Sequence, residues 1–254
     1  MDDEANRDKY AAFAEGYKVY FDPSTRFMRG LDSEGNWRTP FNPRASNHRN
    51  DDYCEGTAWQ WTWFVPHDVD GLVELMGGRD AFIGKLDSLF TADSKLEGES
   101  TSVDISGLIG QYAHGNEPSH HIAHLYNYVG QPWRTQEIVD EVLHTLYFNN
   151  PDGLSGNEDC GQMSAWYILN AMGFYQVCPG KPVYSIGRPL FNEATVHLKD
   201  GKSFKVIAHN NSRDNKYVRS IVLNGNKLET PFFTHQDIVD GGTLELTMGS
   251  EPLK

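Results

Sequence analysis

The pattern of apolar and polar residues changes once along this chain, near residue 174. Before that point, apolar positions recur with the helical period; after it, short alternating runs are separated by Gly and Pro. The pattern predicts a mainly α chain with a β C-terminal part, divided into residues 1–175 and residues 176–254. The predicted helices cover residues 3–19, 55–64, 68–76, 79–91, 118–129, 133–147 and 162–172.

The β-rich part contains two hairpin signals and one last strand. Asp200-Gly201 divides the alternating runs 194–198 and 203–208, and Asn224-Gly225 divides a second pair within 218–228. Such dipeptides between alternating runs are strong hairpin signals. We predict antiparallel strands of a sandwich-like module, ending with a strand over 243–248. No acidic or histidine cluster lies here, which indicates an accessory role.

Residues 20–50 form a long polar connection between the first two predicted helices. Connections longer than about 15 residues in a compact domain are usually functional or disordered. Four apolar residues interrupt this one, and they can anchor it to a core: Phe27, Met28, Trp37 and Phe41. We therefore expect an ordered loop that lies over a site.

Composition excludes several classes of protein. The net charge is −13 and no basic stripe is present, so nucleic acid is not an expected partner. No apolar run approaches the roughly 18 residues of a membrane span. The acidic first residues are not a signal peptide, and three cysteines without metal-ligand spacing form no disulfide framework. Abundant aromatic residues are typical of carbohydrate sites.

The segment GNEDCGQMSAW at 156–166 places two carboxylates and two amides immediately before an apolar helix. Free N–H groups and the helix dipole favour negative charge at such a start. Capping by Asn157 or Asp159 is an ordinary explanation of this segment alone. Its similarity to a second turn favours a functional site.

That second turn is GNEPSHH at 115–121, where Pro118 suits the first position of a helix. Two Gly-Asn-Glu turns that each open a helix indicate a shared polar site. Their Asn, Glu and Asp oxygens suit Ca²⁺ better than zinc. Neighbouring histidines on a helix point about 100° apart, so one of His120 and His121 is expected in the core or behind the site.

The third segment, 51–63, has Glu55 beside Trp59, Trp61 and Trp63. Indole rings at a spacing of two cannot share one helical face, so the helix is buried on all sides or lines a cavity. A carboxylic acid beside an aromatic surface suits a general acid. The alternative role is that of a first-turn acid at a helix start.

These three segments, in this order, resemble glycoside hydrolase family 92, the calcium-dependent exo-α-mannosidases. The spans 65–68 (VPHD) and 234–238 (THQDI) resemble that family as well, so the resemblance covers nearly the whole chain. It implies an (α/α)6 toroid followed by a β-sandwich, and calcium-assisted hydrolysis of terminal α-mannosides with inversion.

The resemblance also implies roles for individual residues. Glu55 is similar to the general acid and Asp159 to the general base, with carboxyl groups about 6.5–9.5 Å apart as inversion requires. The implied calcium ligands are Asn116, Glu117 and Asp159. The implied substrate-binding residues are His114, Asn157, Glu158, Trp59 and His120. The resemblance implies an α-1,2 linkage or a related one, although Gly115 follows His114 where members that cleave α-1,2 linkages have an acidic residue.

The chain departs from the family in length, because a toroid of this kind has twelve helices and the pattern predicts about seven. We expect the C-terminal portion of such an enzyme, without the first half of the toroid and with weak or no activity alone. An exposed half-toroid would leave an apolar helix face, so self-association is expected. The family implies a secreted or periplasmic parent enzyme.

Two other functions are compatible with the same residues. A non-catalytic calcium-dependent module could use the Asn, Glu and Asp turns to bind mannan or another glycan. A structural helical domain with capped helices would show no dependence of its stability on calcium.

Overall fold

The computed structural model describes residues 3–48 and 51–253. The chain forms two compact units, Met1–Ser119 and His120–Lys254, which we call the first and the second unit. No helix in the described residues has the length and hydropathy of a membrane span.

The described residues of the first unit form four α-helices and six short strands. The helices are α1 (Glu4–Ala14), α2 (Ala58–Trp61), α3 (Val69–Leu75) and α4 (Arg79–Thr91). The strands are β1 (Phe21–Asp22), β2 (Phe27–Met28), β3 (Ala45–Asn47), β4 (Glu97–Ser100), β5 (Leu108–Ile109) and β6 (Tyr112–Ala113). β1 pairs with β2 and β5 with β6 in antiparallel fashion, whereas β3 and β4 are parallel.

Local sequence signals account for the helix boundaries of this unit. Asp68 caps α3, since its carboxylate accepts a hydrogen bond from the Gly71 N–H at 3.0 Å. Gly77 and Gly78 both have positive φ and separate α3 from α4. The core of the unit contains fully buried side chains from α3, α4 and the segment after α2: Trp63, Leu72, Phe82, Leu86 and Leu89.

Residues 120–253, the described part of the second unit, form four α-helices and eight strands. The helices are α5 (Leu125–Tyr128), α6 (Pro132–Thr145), α7 (Gln162–Met172) and α8 (His235–Val239). The strands are β7 (Phe174–Tyr175), β8 (Val183–Ile186), β9 (Glu193–His197), β10 (Ser203–His209), β11 (Tyr217–Leu223), β12 (Asn226–Lys227), β13 (Phe232–Thr234) and β14 (Gly242–Gly249). They form a five-stranded sheet, β12-β11-β14-β10-β9, and a three-stranded sheet, β13-β8-β7.

The helices and strands of the second unit share one hydrophobic core. Phe174, Phe204 and Phe233 are buried in it, and Leu169 and Met172 of α7 pack against it. Burying the apolar side of α7 on the sheets removes that surface from water. Because α7 packs on the sheets, the helices after residue 119 belong to the same unit as the strands, and the units divide at 119/120. The predicted division at 175/176 instead follows the change from helices to strands.

Both predicted hairpins are present. β9 and β10 pair around Asp200-Gly201, and β11 pairs with β12 around Asn224-Gly225. In the described β-rich part the strands pair in antiparallel fashion as predicted, except that β14 lies between β11 and β10 and runs parallel to β10. Hairpin signals are local, whereas the neighbours of β14 are distant in sequence, so the alternation of residues 243–248 specified a strand but not its partners.

Three predicted helices are shorter than expected. Residues 3–19 form α1 and then a 3₁₀ helix, Glu15–Tyr20. Residues 55–64 contain only α2, because Thr57 forms a capping box with Gln60 and so begins the helix after Glu55. Residues 118–129 form the 3₁₀ segments Glu117–Ser119 and Ile122–His124 before α5. His124 and Asn127 there bond to Ser185, and these tertiary contacts compete with regular helix.

The loop after α1 is ordered over its described part, residues 20–48. β1 and β2 form a hairpin in it, and a bridge joins Leu31 to Trp37. Phe27 and Met28 are buried, as predicted for apolar anchors. The Phe27 ring lies 4.9 Å from that of Trp59, measured between centroids.

Candidate active site

Glu55 lies in the turn that precedes α2, and its backbone is in the left-handed region with φ +50°. A non-glycine residue in this region is strained, and such residues are concentrated at functional sites. The indole N–H of Trp61 donates to the Cys54 carbonyl oxygen at 2.8 Å and fixes the preceding peptide. The turn therefore presents the exposed Glu55 on a constrained backbone.

Asn116 joins the second sequence motif to the Glu55 turn within the first unit. Its Nδ2 donates to the Glu55 backbone carbonyl at 3.0 Å and lies 3.5 Å from the Glu55 carboxylate atom Oε2. Its Oδ1 accepts from the Glu117 N–H at 3.1 Å. Asn116 is only 7% exposed, so its orientation is fixed. The structure thus brings together Glu55, Asn116 and Glu117.

His114, which the family resemblance assigns to substrate binding, is fully buried. Its Nδ1 lies 2.8 Å from the hydroxyl oxygen of Tyr112, another fully buried residue. In this structure His114 is a core residue that offers no surface to a ligand. Its polar ring is retained in the core because the phenol and imidazole satisfy each other.

Trp59 is half-buried and packs against a buried lysine. The Lys85 ammonium lies 4.6 Å from the centroid of the Trp59 ring and 3.1 Å from that of Phe27, which are cation–π distances. Burial, with the nearby Arg26 charge, lowers the pKa of Lys85 to about 7. The indole N–H of Trp59 is buried and has no acceptor among the described residues.

The third motif forms a tight turn in the second unit. Asp159, Cys160 and Gly161 have φ angles of +51°, +56° and +98° before α7 begins at Gln162. Asn157 is exposed and Asp159 is half-buried. Three successive left-handed residues are unfavourable for non-glycine side chains, so this turn, like that of Glu55, is held by its surroundings.

Glu158 is the residue that caps α7. Its Oε1 accepts from the Ser164 N–H at 3.0 Å, and its Oε2 accepts from the Ser164 hydroxyl at 2.9 Å. The expected cap was Asn157 or Asp159. Because both carboxylate oxygens of Glu158 serve the helix, Asn157 and Asp159 are the members of the turn that remain oriented away from capping.

His120 is 3% exposed in the second unit, although it was expected among the substrate-binding residues. Its Nδ1 lies 3.1 Å from the Gln162 side-chain nitrogen, and its carbonyl oxygen accepts from the Trp166 indole N–H at 2.9 Å. These contacts fix the start of α7 next to the Asp159 turn. His120 acts here as a positioning residue and is too buried to line an open pocket.

The described residues contain no group of three or more His, Cys, Asp or Glu side chains arranged to hold a metal ion. The adjacent Asn116 and Glu117 nevertheless supply an amide oxygen and a carboxylate in the first unit. Hard oxygen donors of this kind fit Ca²⁺, which takes about six to eight oxygens and accepts carbonyl ligands and water. The oxygen donors of Asn116 and Glu117 therefore fit a calcium ion.

Sequence reasoning missed one buried ion pair in the first unit. Arg29 Nη1 lies 2.7 Å from Asp22 Oδ2, and both side chains are at least nine-tenths buried. The pKa of Asp22 is lowered, since hydrogen bonds from Ser24, Arg29 and Thr25 outweigh the opposing effect of burial. Asp22 is the last residue of β1 and Arg29 directly follows β2. Opposite charges at these two positions of a short hairpin were the sequence signal for the ion pair.

The chain belongs to glycosyl hydrolase family 92: the model of that family's catalytic domain matches residues 1–250. The chain is a glycoside hydrolase sequence by this criterion, as the three motifs indicated.

Solved structures agree with this assignment. The family 92 α-mannosidase BT3965 of Bacteroides thetaiotaomicron, in complex with mannoimidazole, is 43% identical with a TM-score of 0.87 over 93% of this chain and 32% of its own. The inverting mannosidase BT2199 of the same organism is 42% identical with a TM-score of 0.83 over 96% of this chain and 34% of its own.

A curated relative is also similar. A protein of Arthroderma benhamiae described as an uncharacterized secreted glycosidase is 32% identical over 200 residues, which are 78% of this chain and 24% of that protein. The chain therefore spans about a quarter to a third of the relatives it matches.

Proposed function

We propose that this chain carries the acid, the base and part of the calcium site of an α-mannosidase that removes terminal α-linked mannose from glycans with inversion. The linkage we propose is α-1,2 or a related one. The observation that supports the proposal most is the Glu55–Asn116–Glu117 arrangement, because it places the candidate acid beside two candidate calcium ligands. The similarity to two mannosidases supports the choice of mannose.

In this mechanism Glu55 donates its proton to the glycosidic oxygen as the bond to the anomeric carbon breaks. The leaving group departs as a neutral alcohol and Glu55 becomes a carboxylate. Asn116 positions the acid, since its amide holds the Glu55 carbonyl and lies near the carboxylate. A general acid that is fixed in this way raises the rate by protonating the leaving group only in the productive geometry.

Asp159 accepts a proton from the water that attacks the anomeric carbon on the opposite face of the sugar. The product is mannose of inverted configuration together with protonated Asp159. The mechanism requires room for that water and therefore carboxyl groups about 6.5–9.5 Å apart. A separation near 5 Å would instead indicate retention.

Asn116, Glu117 and Asp159 would hold the calcium ion. A bound Ca²⁺ supplies a positive charge that orients sugar hydroxyls and favours a distorted ring. Asn157 would contribute an amide to the same sugar, and Trp59 an aromatic face.

Two properties of the whole enzyme are part of the proposal. We propose a secreted or periplasmic location, which the printed description of the fungal relative supports. Each unit exposes large apolar side chains: Tyr10 and Phe13 on α1 in the first, Phe148 and Ile168 in the second. These surfaces would be covered by the remainder of the family domain, so the 254-residue chain alone is expected to have little activity and to self-associate.

Replacing Glu55 with Gln tests the proposed role. The variant keeps the size and hydrogen-bonding ability of the side chain but has no proton to donate. Any calcium-dependent hydrolysis of methyl α-mannoside, whose alcohol must be protonated to leave, should disappear, whereas binding of the same substrate should persist. Unchanged hydrolysis would refute the acid role, and binding without hydrolysis by the whole enzyme would indicate a glycan-binding module.

A further inference from the structure

A cleft of about 350 Å³ lies entirely within the first unit, and its lining includes none of the proposed catalytic or calcium-binding residues. Its walls include five aromatic rings: Tyr17, Tyr20, Tyr53, Trp61 and Phe64. Phe64 and Tyr20 are 45% and 50% exposed, so the rings are accessible to a ligand. Small-molecule pockets are typically about 300–1,000 Å³, so this one suits a single ring and not a long chain.

Arg29 supplies an unused hydrogen-bond donor to this cleft. Its Nη1 and Nη2 donate to Asp22 and to the Arg38 carbonyl oxygen, both at 2.7 Å. Its Nε is buried and has no acceptor among the described residues, although the side chain is only 9% exposed. Buried donors without acceptors are rare in folded proteins. A ligand oxygen would satisfy this one where a small movement of the Arg29 side chain opens Nε to the cleft.

Asp52 supplies an acceptor on the same wall. Its Oδ1 is bonded to the Arg38 guanidinium, and no hydrogen bond to its Oδ2 is found in the described part of the chain. Gly30 makes room for this carboxylate, since a Cβ at that position would lie 2.4 Å from Asp52 Oδ2. The backbone of the loop is therefore shaped around the position of the Asp52 carboxylate.

The charges of the cleft are already compensated. Arg29 is paired with Asp22, and Asp52 is paired with Arg38. An ionic ligand would gain no unpaired partner and would lose its hydration. A suitable ligand is therefore neutral, accepts one hydrogen bond, donates another and places C–H groups against aromatic rings. These are the properties of a pyranose.

We propose that this cleft binds one neutral hexopyranose, as a second sugar site at which no bond is cleaved. The proposal rests on the proposed function only for the choice of mannose as the sugar. A glycan substrate has several sugar units, and a site of this kind would hold one of them while another is hydrolysed.

The test uses the full chain, labelled with ¹⁵N and kept in EDTA so that a calcium-dependent site is silent. The indole resonance of Trp61 is assigned by its loss in Trp61→Phe and is then followed during titration with methyl α-mannoside. We expect a saturable shift with a dissociation constant of roughly millimolar order. Sorbitol, an acyclic polyol without a flat C–H face, should produce no such shift.

Two variants and one control locate the binding. Asp52→Asn, which weakens the acceptor, should raise the dissociation constant about tenfold, the value of one charge-assisted hydrogen bond. Phe64→Ala should weaken binding as well through lost stacking. Phe148→Ala alters an aromatic residue of similar exposure in the second unit and should leave binding unchanged.

The proposal is overturned if the Trp61 resonance does not respond to mannoside, if sorbitol produces the same response, or if neither cleft variant weakens binding. Because the titration contains EDTA and involves no hydrolysis, its outcome does not depend on the catalytic proposal. Sugar binding here by a chain without detectable hydrolysis would support this proposal and would not bear on the first, which expects little activity from the chain alone.

Discussion

The side-chain amide of Asn116 donates a hydrogen bond to the backbone carbonyl of Glu55, with 3.0 Å between Nδ2 and the oxygen. The two residues are 61 positions apart, and Asn116 is 7% exposed. A side chain from the second motif therefore holds the turn that carries the candidate acid. The two motifs act as one structural element, which neither motif alone indicates.

Asn116→Ala should remove this support. We expect a loss of about 1–2 kcal/mol in the free energy of unfolding, because the part-buried hydrogen bond to the Glu55 carbonyl is lost. Any mannoside hydrolysis should also fall, because the turn that carries Glu55 is no longer held in place. Denaturant unfolding and product release measure the two effects.

Asn42→Ala is the matched control, since its amide bonds the Glu97 carboxylate at 2.6 Å on the surface of the same unit. Exposed contacts of this kind contribute about 0–1 kcal/mol. Equal effects of the two substitutions on stability and on hydrolysis would contradict the special role of Asn116.

Calcium should raise the melting temperature of the chain. A ligand that binds only the native state at a concentration about 100 times its dissociation constant stabilises it by about 2.7 kcal/mol. Chelation should reverse the shift, and Glu117→Gln should reduce it. An identical melt with calcium and with EDTA would refute the calcium assignment, and magnesium serves as the control for a nonspecific ionic effect.

His124 should make the second unit sensitive to acid. The ring is fully buried, with Nε2 2.9 Å from Asn170 Oδ1 and Nδ1 3.0 Å from the Ser185 hydroxyl. Burial lowers its pKa to about 4, and the hydrogen bond to Asn170 only partly opposes this, while nearby His121 adds to it. Between pH 6.5 and about 4, the His124 ring is therefore neutral in the folded state and protonated in the unfolded state.

The second unit is therefore destabilised as the pH falls. The stability contribution of neutral His124 is complete above pH 6.5 and is lost as the pH falls from there towards 4, by about 3 kcal/mol in total. His124→Gln, which does not titrate, should be less stable at neutral pH but should lose less stability in this window. Equal pH dependence of the two proteins would contradict the prediction.

Cys160→Gly should relieve strain in the Asp159 turn. Cys160 has φ +56°, where a side chain costs about 1–2 kcal/mol relative to glycine. Part of this gain is offset by the greater freedom of glycine in the unfolded chain. We expect a net increase of about 0.5–1 kcal/mol in the free energy of unfolding, measured with denaturant. Cys54 is also an exposed free cysteine but has no positive φ, so Cys54→Gly should be destabilising.

The sequence predicted most of the local structure, because its signals are local. Helices α3, α4, α6 and α7 and both hairpins follow from periodicity, capping residues and Asn-Gly or Asp-Gly turns. The parallel pairing of β14 with β10 and the irregular backbone of residues 117–128 depend on tertiary contacts. Such contacts leave no periodic pattern in the sequence.

The candidate site was predicted less completely than the fold. The motifs name Glu55, Asn116, Glu117 and Asp159 as candidates, but they did not show which of the other candidates are buried or bonded to a helix start. His114 and His120 are buried and Glu158 caps α7. A sequence motif includes both kinds of residue, because a constrained turn needs its supporting contacts as much as its reactive group. Only the geometry distinguishes them.

Calorimetric titration with mannoimidazole, the ligand bound by the BT3965 enzyme, tests the central claim most directly. The proposal predicts saturable binding in calcium that is abolished by EDTA, weakened by Asp159→Asn and retained in Glu55→Gln. Binding that is unchanged by chelation and by Asp159→Asn, or no binding at all in the presence of calcium, would contradict a calcium-dependent mannosidase site in this chain.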